Sequence, residues 1–324
     1  MGVSMAFSYT GSTAGYAAGA ATNDTVVSYA LEQTFGVAPA ATYQFLRLTG
    51  ETFRPQKTRQ RPDEINPLPE VSHAVTTQES TSGTLSGAVS TGTYDGFLAG
   101  VMGNDFDANG LLTNGSLVKT FTIRRKIGAS WFHELGSFVS RAQITLQQGQ
   151  FATCSFDFLC ADEQKALADI ATDTVPAPIG TVHDTVKGFT GVTIGGTAPS
   201  GKVRQFAITL ERSGAAQEYA MGSAAAAGMI AGRLQATATI QFFFKTYDEY
   251  DRFAAESGAP IVASTVDGTG NGYAFTFLNS TLQNPQINAG GTNQSVIASY
   301  DVEGNPQDGG GTFTIAKIPA PTGG

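Results

Sequence analysis

Short strand-like segments recur along almost the whole chain, and no other feature limits the fold as strongly. Tyr43–Leu48, Thr84–Ser90, Leu117–Arg124, Phe138–Leu146, Phe151–Leu159, Val203–Leu210, Leu234–Phe244, Tyr273–Leu278 and Ser295–Val302 alternate apolar with polar residues or run apolar on both faces. Gly, Asn and Pro stand between them, and 39 glycines in 324 residues supply the tight turns that many short strands need. Only Tyr94–Met102, Ala161–Ala171 and Tyr247–Ser257 read as helix, and each is short. Asp162-Glu163 and Asp248-Glu249 put acids where a helix N-terminus favours them. Hydrophobic residues make up 41% and charged residues 14%, the latter well below the usual ~25%. A mainly β fold with a sizeable core is predicted.

The chain also reads as doubled. The segment from Phe121 and the segment from Phe206 align at a shift of about 85 residues. Phe121 meets Phe206, Ile123 meets Ile208, Gly136-Ser137 meets Gly222-Ser223, and Asp162-Glu163 meets Asp248-Glu249. The expected organisation is a flexible N-terminal arm over 1–24 and a β domain over 25–175. A Pro/Gly-rich linker over 176–200 and a second β domain over 201–324 follow. Neither half is expected to suffice alone, because a two-sided apolar strand such as Ile240–Phe244 is a hazardous edge unless another subunit covers it.

Chemistry is sparse. The net charge of −8 argues against a protein that grips nucleic acid, which needs a clustered basic surface. Cys154 and Cys160 share one apolar run and read as buried small hydrophobes. His73, His133 and His183 have no metal-ligand spacing, and no G-x-S-x-G elbow is present. Gly196–Val203 falls short of a phosphate loop: Val203 follows Lys202 where Ser or Thr is needed, and a strand follows instead of a helix. Asp105, Asp107 and Asn109 resemble the start of a calcium loop, but the twelfth position is Ser116 and not Glu, so a solvated turn is expected. Arg124-Arg125-Lys126 and the spaced cations of Arg54–Arg61 read as solvated or intersubunit patches. Met1–Ala21 lacks the charged and apolar regions of a signal peptide, and no run approaches the ~18 apolar residues of a membrane span. One tryptophan, Trp131, is too little for a sugar-stacking platform. No enzyme, cofactor or metal is predicted.

The opening LEQTFGVAPAATYQFLRLTGETF, with Glu32, Thr34, Phe35, Gly36 and Pro39 in an E-x-T-[FY]-G-x-x-P pattern, resembles the start of siphophage tail tube proteins. SGTLSGAVSTGTYDGFLAGVMG, NGSLVKTFTIRRKI, GRLQATATIQFFFKTYDEYDRF and VDGTGNGYAFTFLNSTLQNPQINAGGTNQSVIASYDVEG follow in that family's order, so the likeness spans Leu31 to Gly304. Arg125 departs from it, standing where an acid is expected.

The resemblance implies duplicated tail-tube-type β-sandwich units with short flanking helices, whose strands join an intersubunit β-barrel. It implies a structural virion protein that polymerises as stacked rings into the conduit for DNA ejection. A minor tail or tail-terminator protein of the same fold is the alternative, and a surface adhesin-like β protein a more distant one. The implied partners are further copies of the chain, the tape-measure protein, tail terminator and distal tail proteins, and genomic DNA in transit. The implied place is the phage tail, after synthesis in the bacterial host cytoplasm. A ring of this class is expected to present six wall units: three chains with two units each, or six chains with the second half decorating the outside. The doubled sequence favours the trimer. Candidate wall positions are Ser140, Gln143, Thr145, Arg233, Gln235, Thr237 and Thr239. The proline-rich stretch from Thr52 to Thr81, carrying Arg54, Arg59, Arg61, Asp63 and Glu64, reads as an arm toward an adjacent ring. The acidic balance suits a lumen that repels phosphate.

Overall fold

A computed structural model describes residues 18–65 and 67–319, so most of the expected arm over 1–24 lies outside the described residues. In chain order the first half contributes β1 (Val26–Leu31), β2 (Thr42–Phe45), β3 (Gly50–Glu51), β4 (Arg54–Gln60), β5 (Val75–Ala88) and helix α1 (Asp95–Met102). It continues with β6 (Leu111–Thr113), β7 (Thr120–Ile127), β8 (Ser130–Gln147), β9 (Thr153–Cys160), β10 (Asp162–Ala166) and β11 (Asp173–Val175). The second half opens with β12 (Phe189–Ile194), β13 (Val203–Ser213), β14 (Ala216–Glu218), β15 (Gly228–Ile230), β16 (Arg233–Phe243) and helix α2 (Asp248–Ala254). It ends with β17 (Ala259–Val266), β18 (Gly272–Asn288), β19 (Ile297–Asn305) and β20 (Phe313–Ile318). The architecture is mainly β, and no barrel closes among the described residues.

Eight strands build one continuous antiparallel layer in the order β4-β5-β9-β8-β13-β16-β19-β18. Its apolar face carries Phe156 and Phe158 on β9, Ile144 and Leu146 on β8, Phe206, Ile208 and Leu210 on β13, Ile240 and Phe242 on β16, and Tyr300 on β19, all buried. Two further groups of strands cover that face. One is β11-β2-β1-β7-β8-β10, and the other is β12-β17-β18-β20-β6. The long strands β8 and β18 pass from one layer to the other, which is why each exceeds an ordinary strand of about six residues. β8 bulges between Val139 and Arg141 where it crosses, the device by which a strand changes sheets.

The two halves repeat one pairing scheme. Contacts β4–β5, β5–β9, β9–β8, β8–β7, β8–β10 and β7–β1 are matched by β13–β16, β16–β19, β19–β18, β18–β17, β18–β20 and β17–β12. Helices α1 and α2 follow β5 and β16 in the same place. This repeat has a different register from the one predicted. Phe206 lies on β13, the counterpart of β3–β4, whereas Phe121 lies on β7, the counterpart of β17. The shift of about 85 residues paired apolar strands of similar pattern, which any sandwich core supplies.

Two other expectations are corrected. Residues 162–166 are strand and not helix: their Glu, Gln, Lys and Ala favour helix, but β10 pairs in register with Trp131–Leu135 of β8, and ladder bonds on an open strand outweigh propensity. The expected linker over 176–200 holds β12, and the His183 amide and carbonyl bond to Val89 and Ala152, so this stretch is stitched to the first half. Helix α1 forms close to where predicted. Asp95 sits in its first turn, Gly103 at φ 68° ends it in the left-handed region, and Phe97 is wholly buried against Tyr29, Phe121, Phe156 and Phe158.

Candidate assembly surface

The uncovered face of the eight-stranded layer is mostly polar. Strict alternation along each strand sends apolar side chains inward and small polar ones outward, and the register stacks the outward set in rows. One row runs Ser86, Ser155, Gln143, Thr209, Thr237, Glu303 and Thr281. The next runs Thr153, Thr145, Ala207, Thr239, Asp301 and Gln283. An open concavity of about 370 Å³ lies over Gln143, Thr209, Gln235, Thr237 and Thr239 on this face. Of the predicted wall positions, Gln143, Thr145, Gln235, Thr237 and Thr239 share it. Arg233 stands at its end opposite Ser213, and Ser140 sits in the β8 bulge, donating to the Asp157 carbonyl. Asp157, Glu211, Asp301 and Glu303 also lie here, against Arg141 alone in the interior of the face. The alternation in VRQFAITLE and ASYDVE carried that signal.

The layer has a seam inside the chain and an open edge at each end. At the seam, β8 and β13 pair without interruption from Gln147↔Gln205 to Arg141↔Glu211. Among the described residues, β4 at one end pairs only with β5, and every residue of β4 is exposed. At the other, β18 beyond Thr281 pairs, among the described residues, only with β19. These two edges are the counterparts of β13 and β8, the strands that meet at the seam.

The hairpin β4–β5 runs past the layer as an arm. Its pairing extends to Gln60↔Val75. Arg59 donates to the Ala74 carbonyl at 2.9 Å and Arg61 to the Ser72 carbonyl at 2.7 Å. Arg54 lies across from Ser82 where the arm leaves the layer, and Asp63 and Glu64 are exposed near the tip beside the fully exposed Ile65. The counterpart loop β14–β15 folds back instead, with the Glu79 amide donating to Ala224 and the Ala226 amide to Ala161.

The basic run is not a surface patch. Arg124 is completely buried over the rings of Tyr43 and Trp131 and is paired with Asp169. Arg125 sits among Glu134, Glu51 and Glu163 at 2.5, 3.0 and 2.9 Å, which gives the departure from the expected acid a structural role. Burial pushes Glu134 up to about 8, with Arg125 pulling it down and Glu163 pushing it further up. Burial also raises both cysteine thiols, and both are free. His133 and His183 are buried and held below the ordinary histidine value by desolvation.

Asp107 accepts the Asn109 and Leu111 amides, each at 2.8 Å, as a solvated turn does. At Gly201 a Cβ would lie 1.5 Å from the Phe243 carbonyl oxygen, so this glycine serves close strand packing and not phosphate. Among the described residues, no three His, Cys, Asp or Glu side chains converge on a metal position, and no helix is long and apolar enough to cross a membrane.

Among the described residues the chain is a two-layer β protein with a bare sheet face and two unpaired sheet edges, and no catalytic or metal constellation is built on it. The sequence profile of the phage tail tube protein family matches residues 22–304, and the chain belongs to that family. The family is a structural one, a component of the virion tail. No individual curated protein matches the sequence.

Proposed function

We propose that the chain polymerises into the phage tail tube as stacked rings of three, with the bare polar face lining the lumen. The observation that carries this reading is the internal seam. If β18 of one chain meets β3–β4 of the next as β8 meets β13, both edges of the eight-stranded layer are paired by a contact that the chain already makes once within itself. Thr281 then stands opposite Arg54 as Arg141 stands opposite Glu211, and Gln283 opposite Thr52. Three eight-stranded layers tilted by ~40° would close a barrel roughly 48 Å across between backbones. Six chains in the same arrangement would double that width.

Asp157, Glu211, Asp301 and Glu303 give the lumen a net negative lining, which repels phosphate and lets DNA pass without adhering. The small Ser, Thr and Gln side chains between them offer no base-stacking platform. The arm at β4–β5 contacts the adjacent ring, and the tape-measure, terminator and distal tail proteins meet the lumen and the two tube ends. Synthesis in the host cytoplasm precedes assembly, and no catalysis is involved.

Electron microscopy of the purified chain tests the reading. Hollow tubes with three-fold rings of two similar, non-identical lobes are expected. Strictly six-fold rings bearing an outer layer of knobs would reject the trimer, and compact particles without a bore would reject the tube.

A further inference from the structure

The two strands that would meet between chains differ from the two that meet inside the chain. On β8 the sequence Gln143-Ile144-Thr145 runs in unbroken register against both neighbours. Its counterpart on β18 is Gln283-Asn284-Pro285-Gln286, with one residue more. The register to β19 slips there, Gln283 facing Asp301 and Gln286 facing Ser299. Asn284 takes a positive φ of 47°, and its side-chain amide donates to the Asp301 carboxylate at 2.9 Å, holding the bulge in place. Pro285 has no N–H to offer, and in an edge strand its nitrogen side faces outward. A bulge and a proline on an exposed edge are the devices that stop sheets from pairing edge to edge. The facing edge is guarded as well: Pro55 follows Arg54, and Lys57 and Arg59 extend along it. The internal seam from Gln205 to Glu211 and from Arg141 to Gln147 contains neither proline nor bulge.

We propose that the Asn284–Pro285 bulge is an assembly latch: it keeps the β18 edge from pairing with a second copy of this chain in solution, so that rings close only on an existing ring end. This rests on the tube reading above. The internal seam closes during folding of the single chain and needs no latch. The seam between chains must stay open through synthesis and release until a template straightens or accommodates the bulge.

The test compares the full-length chain with a variant in which Asn284 is deleted and Pro285→Ile is made, so that β18 reads Gln-Ile-Gln in imitation of β8. Light scattering and electron microscopy follow polymerisation with and without sonicated tube fragments as seeds. The expected result is a long lag for the natural chain that seeds abolish. The variant should show a lag shorter by about tenfold without seeds, the factor that one or two restored backbone hydrogen bonds are worth. Pro285→Thr, which keeps the bulge but restores the donor, should fall between them. The latch is overturned if the natural chain polymerises at once without seeds, or if seeds leave its lag unchanged. It is equally overturned if the deletion variant remains folded by circular dichroism but polymerises no faster. Should that variant misfold, the seeded lag of the natural chain and of Pro285→Thr decides. Absence of tubes from the natural chain even with seeds would sink the tube reading itself.

Discussion

Glu32 is held by four donors, and this explains why the opening pattern of the chain has the residues it has. The hydroxyls of Thr120 and Thr122 and the Gly136 amide each donate to its carboxylate at 2.8 Å, and the Gly36 amide at 3.0 Å. One acid thereby ties the first loop to β7 and β8, and Tyr43 closes the loop by donating to the Pro39 carbonyl. Glu32→Ala leaves those donors buried and unpaired, so it should cost about 3 kcal/mol, read as a lower urea midpoint at unchanged m-value. The cluster around Arg125 makes a second prediction. Glu134 holds its proton far more tightly folded than unfolded, its ordinary value being 4.5 and its folded value about 8. Its contribution is fully present below 4.5 and is lost as pH rises through 8. His133 and His183, held below their ordinary value, add an opposite trend up to about pH 6.5, so thermal stability should fall from pH ~7 to ~9, and Glu134→Gln should flatten that fall. An unchanged slope would remove Glu134 as its cause.

At the scale of elements, the contrast between the β4–β5 arm and the folded-back β14–β15 loop separates a contact within the chain from one available to a neighbour. Cross-strand pairs run to Gln60 and Val75 with a bulge at Thr58–Arg59, the Arg59 and Arg61 side chains bond across beyond it, and the end of the hairpin carries exposed Ile65, Leu68 and Val71. If the arm joins rings as proposed, these exposed apolar side chains are what the contact would cover. Deleting 62–69 should leave the thermal midpoint of the isolated chain within about 2 °C, as surface changes do, while tubes no longer lengthen in electron micrographs. Normal tubes from the deletion would show that the arm does not join rings.

For the whole molecule, closure can be counted chemically. Thr281→Cys and Arg54→Cys in one chain place thiols on residues that face each other only across the seam between chains. A disulfide needs Cα atoms about 4.4–6.8 Å apart, a distance that opposed strand residues satisfy. Oxidised tubes should run on non-reducing gels as monomer, dimer and trimer, with nothing larger. A ladder reaching six would establish the hexamer, and monomer alone would show that other strands form the seam.

Much of this was legible in the sequence because it is a matter of local periodicity. Alternation placed most strands of the eight-stranded layer and its polar face, and the apolar block FLAGVM placed α1 near its true ends. The order of short motifs pointed to the family over nearly the same span that its profile matches. What depends on which strand lies beside which was hidden. β10 has helix-forming residues and became strand only because β8 offered an open ladder. Arg124 and Arg125 read as surface charge until Trp131 and Glu134 across the β7–β8 hairpin and the more distant Tyr43, Glu51 and Glu163 enclosed them. The repeat was detected in the wrong register because core strands resemble one another more than they resemble their own counterparts. Side-chain period is written in neighbouring residues, whereas pairing is settled by contacts between residues far apart in the chain, and only the folded structure holds those.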